Sequence, residues 1–366
     1  MSGLYIHIPF CRSKCAYCDF TSYAGKEELI DSYLDALKKE AAAYASALGG
    51  RGGFNTLYIG GGTPSLLSPP QLDTLLTTVE KGFGPIKEMK EASFEANPES
   101  LTPQKAALLK AAGINRISLG LQASQNALLK TLGRAASFED FLKVFGFLRS
   151  AGFDNINVDL MTGLPGQTPE DFRQSLNEVL KLEPEHLSFY ALEAHEGTVF
   201  AKRGIMEEPD KAALMYDEAL SALKKTGFAH YEISNFARPG KESLHNLNYW
   251  EQGDYIGLGA AAASHLSGRR WGNTRDMDVY LRTAGDPGGP AKEYCENLTS
   301  SQRKAERVML GLRKTGGVEL EDDIITEFKR KIETLRSKGL LETEGRRIKI
   351  NKEYLYLANA VFREFL

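Results

Sequence analysis

The fold of this chain is decided by one short stretch, Cys11-Arg12-Ser13-Lys14-Cys15-Ala16-Tyr17-Cys18-Asp19-Phe20. Three of the four cysteines fall within it, with three residues between the first pair and two between the second. Thiolates at this spacing can converge on one point, and thiolates bind zinc, copper(I) or iron–sulfur clusters. Because three thiolates are one fewer than a closed site needs, an iron–sulfur cube held by them keeps one iron open. We therefore predict a metal centre at Cys11, Cys15 and Cys18.

Other interpretations of the three cysteines stay open on spacing alone. A disulfide cannot pair three cysteines evenly, and nothing in the sequence indicates an oxidising compartment. A zinc site would take His7 as its fourth ligand, although this cysteine spacing is unusual for zinc proteins. Structural cysteines in a core would not need to be clustered.

Length and charge limit the class of protein. A chain of 366 residues predicts two or three domains, or one large barrel with appendages. A net charge of −3 gives no global attraction to nucleic acid or to anionic membranes. We find no apolar run of the roughly 18 residues that a membrane span needs, and a strand-like segment begins where a signal peptide would lie. Together with a thiolate site, these features predict a cytoplasmic protein.

The cysteine stretch resembles the cluster-binding loop of the radical S-adenosylmethionine (radical SAM) superfamily, which has the pattern C-x3-C-x-aromatic-C. In that superfamily the cysteines hold a [4Fe–4S] cluster, and the methionine end of S-adenosylmethionine (SAM) chelates the open iron. Residues 4–11, Leu-Tyr-Ile-His-Ile-Pro-Phe-Cys, resemble one branch in particular. That branch includes the oxygen-independent coproporphyrinogen III oxidases and the HemW haem chaperones. The resemblance implies a [4Fe–4S] cluster on Cys11, Cys15 and Cys18, with SAM beside it.

Strand-like and helix-like segments alternate through the first part of the chain, which indicates βα units and a parallel sheet. The segments that carry the expected strands, some of them in a helix–glycine–strand repeat, are 3–8, 55–59, 91–96, 112–119, 151–158, 186–190 and 226–233. Six units fit the α/β partial barrel, (β/α)6, of radical SAM proteins better than a closed barrel of eight. In either barrel the chemistry lies at the C-terminal ends of the strands, so residues that follow different strands should meet at one mouth.

The resemblance also implies a set of SAM contacts at or near the predicted strand ends. These residues are Tyr5, Tyr17, Gly61, Gly62, Thr63, Glu95, Gln122, Arg134 and Asp159. On residue type alone, two of these positions are also compatible with a purely structural role. A glycine run such as 60–64 is commonly a turn, and a carboxylate such as Glu95 at the end of a buried strand is often held in a salt bridge. The glycine run lacks the Gly-Lys-Ser/Thr ending of a phosphate-binding loop.

Three domains are expected. Residues 1–235 form the partial barrel, 236–300 an irregular segment and linker, and 301–366 a C-terminal α+β domain. Within the last of these, helices are followed by a hairpin around Glu344-Gly345, a winged-helix-like pattern. Because its charges are mixed, we do not predict nucleic-acid binding. Cys295, beyond the predicted linker at 286–290, is interpreted as structural or incidental.

Three features favour the HemW group over the oxidases. The oxidases carry a fourth cysteine where this chain has Phe20, and they carry an extension before the first strand. Residues 245–250, His-Asn-Leu-Asn-Tyr-Trp, also fit the H-N-x-x-Y-W motif of the HemW group. The resemblance therefore implies a haem-binding chaperone that carries a cluster and SAM and passes haem, its cargo, to haem-requiring proteins, including respiratory ones. An electron donor is the other expected partner, and peripheral membrane contact stays open. The alternative is an oxygen-independent coproporphyrinogen III oxidase.

His245 is the predicted haem ligand, because imidazole is a common axial ligand of haem iron. Tyr249 and Trp250 would cover the porphyrin. The alternative is a histidine that is hydrogen-bonded within a packed aromatic cluster, and His265 and His195 are the other candidate ligands.

Overall fold

A computed structural model describes residues 2–49 and 53–365. The strands are β1 (Ser2–Ile8), β2 (Phe10–Cys11), β3 (Tyr23–Ala24), β4 (Thr56–Gly61), β5 (Glu91–Ala96), β6 (Arg116–Gln122), β7 (Ile156–Thr162), β8 (His186–Ala191), β9 (Ala229–Glu232), β10 (Asn235–Ala237), β11 (Asp254–Leu258), β12 (Ala263–Leu266), β13 (Arg269–Asn273), β14 (Lys292–Asn297), β15 (Val318–Glu319), β16 (Leu341–Glu344) and β17 (Arg347–Ile350).

The α-helices lie between and after these strands. They are α1 (Ile30–Ala47), α2 (Pro69–Phe83), α3 (Pro103–Ala112), α4 (Asn126–Thr131), α5 (Phe138–Ser150), α6 (Pro169–Leu180), α7 (Val199–Lys202), α8 (Pro209–Leu223), α9 (Leu244–Trp250), α10 (Met277–Thr283), α11 (Ser300–Gly311), α12 (Asp322–Ser337) and α13 (Ala358–Arg363).

The centre of the main sheet is a run of parallel strands in chain order, β1-β4-β5-β6-β7-β8. One or more helices connect each strand to the next, as parallel pairing requires. Local signals in the sequence set the ends of these helices. Thr102 accepts a hydrogen bond from the backbone of Lys105 at the start of α3, and Gly113 ends the same helix with φ +103°. The six-stranded α/β partial barrel predicted from the sequence is confirmed.

The two faces of these strands differ in chemistry. On β7, Ile156, Val158 and Leu160 are fully buried in the apolar core that also contains the helices. The alternate residue Asn157 points the other way. Its amide nitrogen donates to Ser118 Oγ at 2.8 Å, and its amide oxygen lies 2.6 Å from His186 Nδ1. The apolar core therefore lies between sheet and helices, while the inside of the barrel is polar.

Both edges of the barrel carry additional strands. Beyond β8 lie β10 and β9, which pair antiparallel, so the third helix–glycine–strand repeat at 226–233 does not continue the parallel run. Beyond β1 lie β11, which is parallel to it, and then the antiparallel strands β12, β13 and β14. The expectation of an irregular segment at 236–300 therefore has to be revised. Its strands are short and interrupted by glycine, so their alternation is too brief to detect in the sequence.

The C-terminal part has a core of its own, formed by α11, α12, α13 and the small sheet β15-β17-β16. The predicted hairpin is confirmed: β16 and β17 pair antiparallel around Gly345, which has φ +58°. The expected linker at 286–290 joins α10 to β14, within the main sheet rather than between the two cores. In the described residues, none of the helices combines the length and apolar character needed to cross a membrane.

Candidate functional site

The cysteine loop lies at the C-terminal end of β1, the end of a parallel barrel where ligands bind. A two-stranded sheet holds its base, with Phe10 opposite Tyr23 and Cys11 opposite Ala24. Its middle is held by other parts of the barrel. The N–H of Ala16 donates to the carbonyl of Leu132 at 2.9 Å, and the N–H of Phe200 donates to the carbonyl of Ala16 at 2.9 Å. The loop therefore spans the barrel mouth.

Cys11 is buried, whereas Cys15 and Cys18 are partly exposed, and all three are free thiols. Burial raises the pKa of Cys11, and it raises the pKa of Cys18 to about 11, so metal binding has to release protons from these thiols. Across residues 2–49 and 53–365, no three His, Cys, Asp or Glu side chains stand ready around a common metal position. Cluster binding therefore requires the thiols to turn toward one point.

The backbone at Gly62 passes close to the Cys11 thiol. A Cβ atom at Gly62 would lie 2.9 Å from Cys11 Sγ and 2.7 Å from the carbonyl oxygen of Phe10, so a glycine is required there. Phe20 stands at the position of a fourth cysteine and is 64% exposed. Three thiols with no fourth in the loop suit a [4Fe–4S] cluster with one open iron.

In this geometry His7 cannot be the fourth ligand that a zinc site would need. The Nδ1 atom of His7 is hydrogen-bonded to the hydroxyl of Tyr5 at 2.8 Å, and its Nε2 atom to the carbonyl oxygen of Thr21 at 2.9 Å. Burial also lowers the pKa of His7, so the ring is neutral and holds these two partners. His7 supports the loop from below and is not available to a metal ion.

A chain of hydrogen bonds connects Cys11 to the far side of the mouth. The hydroxyl of Thr63 donates to Cys11 Sγ at 3.4 Å, and the amide nitrogen of Asn97 donates to Thr63 Oγ1 at 3.2 Å. The guanidinium of Arg134 donates to Asn97 Oδ1 at 3.1 Å and to the carbonyl of Gly120 at 2.7 Å. The sequence analysis did not predict Asn97 as a site residue. Its position just after β5, at the mouth of the barrel, is the feature that could have indicated it.

Glu95 lies near the C-terminal end of β5, where none of the described residues forms an ion pair with it. Its carboxylate accepts hydrogen bonds from the hydroxyl of Tyr58 at 2.7 Å and from the N–H of Gly61 at 3.1 Å. Burial, with a contribution from Asp159, raises the pKa of Glu95 to about 7. Since the described residues include no ion pair to Glu95, the salt-bridge alternative is not supported, and its carboxylate can pair with a cationic ligand.

Asp159 and Gln122 lie on neighbouring strands beside Glu95. Asp159 accepts hydrogen bonds from Asn157 at 2.8 Å and from Ser118 at 3.4 Å, and burial raises its pKa. Gln122 has φ +77° at a bulge between β6 and β7, a conformation that costs a non-glycine residue about 1 kcal/mol or more. Strain of this kind concentrates at binding sites, and Gln122 lies next to Gly120 and Arg134.

Tyr5 and Tyr17 are the two tyrosines among the implied SAM contacts. Tyr5 lies beside Tyr58, with ring centroids 6.3 Å apart, and burial raises its pKa. Tyr17 is close enough to Cys15 and Arg134 for their charges to act on it, and burial raises its pKa as well. The structure therefore brings all nine implied SAM residues to the inner face or the mouth of one barrel.

The end of β11 is a part of the mouth that the sequence analysis did not single out. Because β11 is parallel to β1, its C-terminal turn lies beside the cysteine loop. Gly259 there has φ +104°, and a Cβ atom on it would lie 2.6 Å from the carbonyl oxygen of His7. The buried Glu40 fixes this turn, accepting from the N–H of Gly259 at 2.8 Å and from the hydroxyl of Tyr280 at 2.7 Å. The sequence feature that could have indicated this turn is the run Gly-Leu-Gly-Ala at 257–260.

His245 lies at the opposite end of the barrel. It is 1% exposed and packs against Gly3 and Thr56, near the N-terminal ends of β1 and β4. Its Nδ1 atom is hydrogen-bonded to Thr56 Oγ1 and its Nε2 atom to the hydroxyl of Tyr249, both at 2.8 Å. Burial and the charge of Arg116 lower the pKa of His245 to about 3. This is the packed, hydrogen-bonded setting that was the alternative to haem ligation.

Comparison with known proteins agrees with this geometry. The chain matches the model of the Radical SAM superfamily over residues 5–179. It is 36% identical to the heme chaperone HemW of Bacillus subtilis (strain 168), with 100% of this chain and 99% of that protein covered. It is 37% identical to the heme chaperone HemW of Lactococcus lactis subsp. lactis (strain IL1403), with 100% and 97% covered. Among solved structures, the radical SAM enzyme coproporphyrinogen III oxidase (HemN) from Escherichia coli has a TM-score of 0.86 at 25% identity, with 100% of this chain and 89% of that chain covered.

Proposed function

Because the chain belongs to the HemW family of the radical SAM superfamily, we propose that it is a haem chaperone that holds a [4Fe–4S] cluster and SAM and delivers haem to haem-requiring proteins. The observation that supports the proposal is that the three thiols and the nine implied SAM residues all lie on the inner face or at the mouth of one barrel. The proposed partners are haem as cargo, apo-proteins that accept it, including respiratory ones, and an electron donor. We assign this haem delivery to porphyrin metabolism in the cytoplasm, where free thiols such as these stay reduced.

In this proposal Cys11, Cys15 and Cys18 hold the cluster. When bound, the cluster would supply one electron to the sulfonium of SAM, which is the chemistry that radical SAM proteins share. Glu95 pairs with the ammonium group of SAM, and Gly61 and Gly62 let the backbone approach it. Arg134 is held by Asn97 and Gly120 and would pair with the carboxylate of SAM. Thr63 positions Cys11 through its hydroxyl.

A second candidate function is favoured by one observation, the similarity to the coproporphyrinogen III oxidase structure over the whole of this chain. Against it stands Phe20, which replaces the fourth cysteine of the oxidase loop and leaves a large apolar ring exposed. The overall fold does not separate the two functions, since one fold supports different chemistries.

One experiment distinguishes the two functions. The protein is reconstituted anaerobically with iron and sulfide, and one sample is titrated with haem while another receives coproporphyrinogen III, SAM and a reductant. We expect saturable haem binding and no stoichiometric protoporphyrinogen. Stoichiometric conversion of coproporphyrinogen III would establish the oxidase and contradict the chaperone.

A further inference from the structure

The inner face of the barrel holds a buried arginine to which the sequence analysis assigned no role. Arg116 is the first residue of β6 and is 2% exposed. Because side chains alternate along a strand and its neighbour Ile117 lies in the apolar core, Arg116 points into the barrel, as Ser118 does. Arg116 lies opposite Ser93, and two residues farther toward the mouth Ser118 lies opposite Glu95. The guanidinium therefore lies beneath the candidate SAM site.

None of the described residues pairs with this guanidinium. Its Nε atom is buried without a hydrogen-bond partner, and no described carboxylate forms an ion pair with it. The carboxylate that acts on it most strongly is Glu91, but the protein already supplies four donors to Glu91. They are the hydroxyls of Ser93 at 3.2 Å and Ser243 at 3.3 Å, and the N–H groups of Leu244 at 2.7 Å and His245 at 3.1 Å. Burying a charge without a partner is costly, so this charge is expected to act on other charged groups nearby.

Two carboxylates of the SAM site lie within electrostatic reach of Arg116. Burial raises the pKa of Glu95, to about 7, and it also raises the pKa of Asp159. Asp159 adds to the rise at Glu95, whereas the positive charge of Arg116 lowers the pKa of both carboxyl groups. A charge acts over several ångströms inside a protein, because the effective dielectric constant there is far below that of water. Arg116 therefore opposes the effect of burial on both acids without contacting either.

The tyrosines and histidines that face this interior are neutral near neutral pH. Burial raises the pKa values of the tyrosines and lowers those of the histidines, and the charge of Arg116 lowers the pKa values of His186 and His245 further. These groups are Tyr5, Tyr17, Tyr58, Tyr190, Tyr231, His7, His186 and His245. Arg134 is also a cation, but its hydrogen bonds hold it at the mouth. Since a guanidinium stays protonated in proteins, Arg116 is a constant positive charge beneath the two acids.

We propose that Arg116 is a positioning residue of the SAM site, and that its buried positive charge keeps Glu95 and Asp159 ionised for a cationic ligand. The inference rests on the proposed function and adds a residue that touches neither SAM nor the cluster. SAM brings a sulfonium and an ammonium group, which bind to carboxylates and not to protonated carboxyl groups. Without Arg116, the acids Glu91, Glu95 and Asp159 would share the interior, and like charges favour protonation. SAM would then have to displace protons in order to bind.

The test measures SAM affinity by isothermal titration of the full chain, reconstituted anaerobically, from about pH 6 to about pH 9. Arg116→Gln removes the charge, and Arg116→Lys keeps it, because the acidic neighbours hold a lysine protonated. Lys105→Gln is the matched control. Lys105 is also a buried cation, 8% exposed, but it donates from α3 to the carbonyls of Ser65 and Ser100, both at 2.8 Å.

We expect Arg116→Gln to bind SAM about tenfold more weakly than the wild type at the acid end of this range, as a pKa rise of about one pH unit requires. The difference should disappear at the alkaline end, where the carboxylates are ionised without help. Near neutral pH, Arg116→Gln should also release more protons per SAM bound, which titrations in buffers of different ionisation enthalpy report. Arg116→Lys should follow the wild-type profile, and Lys105→Gln should keep the wild-type midpoint.

Equal weakening of SAM binding by Arg116→Gln at every pH would overturn the inference, because a structural defect has no reason to disappear at alkaline pH. An unchanged profile, or a shifted profile in Arg116→Lys, would overturn it as well, and all three results leave the proposed function intact. Circular dichroism and iron content confirm that each variant is folded and loaded, and Arg116→Met replaces Arg116→Gln if that variant does not fold. Failure of both neutral variants to fold would make the charge a structural one and overturn the inference. A wild-type protein that binds no SAM would overturn the SAM site of the proposed function, and the inference with it.

Discussion

The hydroxyl of Thr63 lies 3.4 Å from the sulfur of Cys11 and donates a hydrogen bond to it. The same hydroxyl accepts from Asn97, which in turn accepts from Arg134, so one chain of contacts joins a predicted cluster ligand to a predicted SAM contact. Hydrogen bonds to cluster sulfurs are one of the means by which proteins set a reduction potential. In the proposed function, this chain of contacts through Thr63 would couple the position of SAM to the electronic state of the cluster.

Thr63→Val should make the cluster harder to reduce, because it removes a hydrogen bond that stabilises negative charge on the Cys11 sulfur. A bond worth about 1 kcal/mol corresponds to about 40 mV for one electron. The potential is measured by anaerobic redox titration with electron paramagnetic resonance. Thr63→Ser, which keeps the hydroxyl, is the matched control and should stay near the wild-type value. Equal potentials in the two variants would show that the hydroxyl has no electronic role.

Replacing Cys11, Cys15 or Cys18 singly with serine should abolish the cluster. The wild type should approach about four iron and four sulfide per chain after reconstitution, as a cube requires. Cys295→Ser should retain that content, because Cys295 is exposed on β14 at the edge of the sheet, away from the loop. Iron and sulfide analysis with the visible absorption spectrum decides the result. Tightly bound zinc with negligible sulfide would refute the cluster.

Glu95→Ala should weaken SAM binding at least tenfold while cluster content stays at the wild-type level. The carboxylate is held by Tyr58 and Gly61 at the mouth, and in the proposed function it contacts SAM and not the iron. SAM affinity is measured by isothermal titration of the reconstituted protein. Loss of folding instead of affinity would show that Glu95 has a structural role.

The raised pKa of Glu95 also predicts a pH dependence of stability. With a folded-state pKa of about 7 and a reference value of 4.5, the folded chain binds more protons than the unfolded chain between these two values. Stability contributed by this group therefore falls as pH rises through that window, by up to about 3 kcal/mol. Glu95→Gln should remove this component. Urea denaturation of wild type and variant without SAM, at several pH values from 4.5 to 8, measures the difference. Parallel curves would contradict the assigned pKa.

His245→Ala should act on stability rather than on haem. The ring is buried and holds Thr56 and Tyr249, so its loss leaves a cavity and two unpaired hydroxyls. We expect a free energy of unfolding lower by about 2 to 4 kcal/mol, with haem affinity unchanged in the folded fraction. A folded variant that has lost its Soret band would instead restore His245 as the haem ligand.

The parts of the fold that the sequence predicted are those that depend on local patterns. The βα alternation of β1, β4, β5, β6, β7 and β8 follows from periodicity, from glycine helix ends and from caps such as Thr102. The resemblance predicted the roles of the cysteine loop and of the nine implied SAM residues, and the parallel topology explains why these distant segments meet. Each of these predicted features depends on residue spacing along the chain or on a rule that holds for all parallel sheets.

The parts that could not be predicted depend on packing between distant segments. α9 packs beneath β1 and β4, and that long-range contact carries the H-N-x-x-Y-W motif to the end of the barrel opposite the cysteines. Asn97 gains its role from Thr63 and Arg134, which lie 34 and 37 residues away in sequence. The short strands β11–β14 join the main sheet because β1 offers an open edge, which is a property of the sheet and not of their own sequence.

The central claim is that this protein carries haem and gives it up to an apo-protein, and haem transfer measures it directly. Haem-loaded, cluster-containing protein is mixed anaerobically with an apo-haem protein, and the Soret bands of donor and acceptor are followed over time. A scavenger that captures only released haem serves as the control. The account predicts that the acceptor fills faster than the scavenger captures haem, at a rate that increases with acceptor concentration. Equal rates for acceptor and scavenger would contradict the claim, because the haem would then simply dissociate.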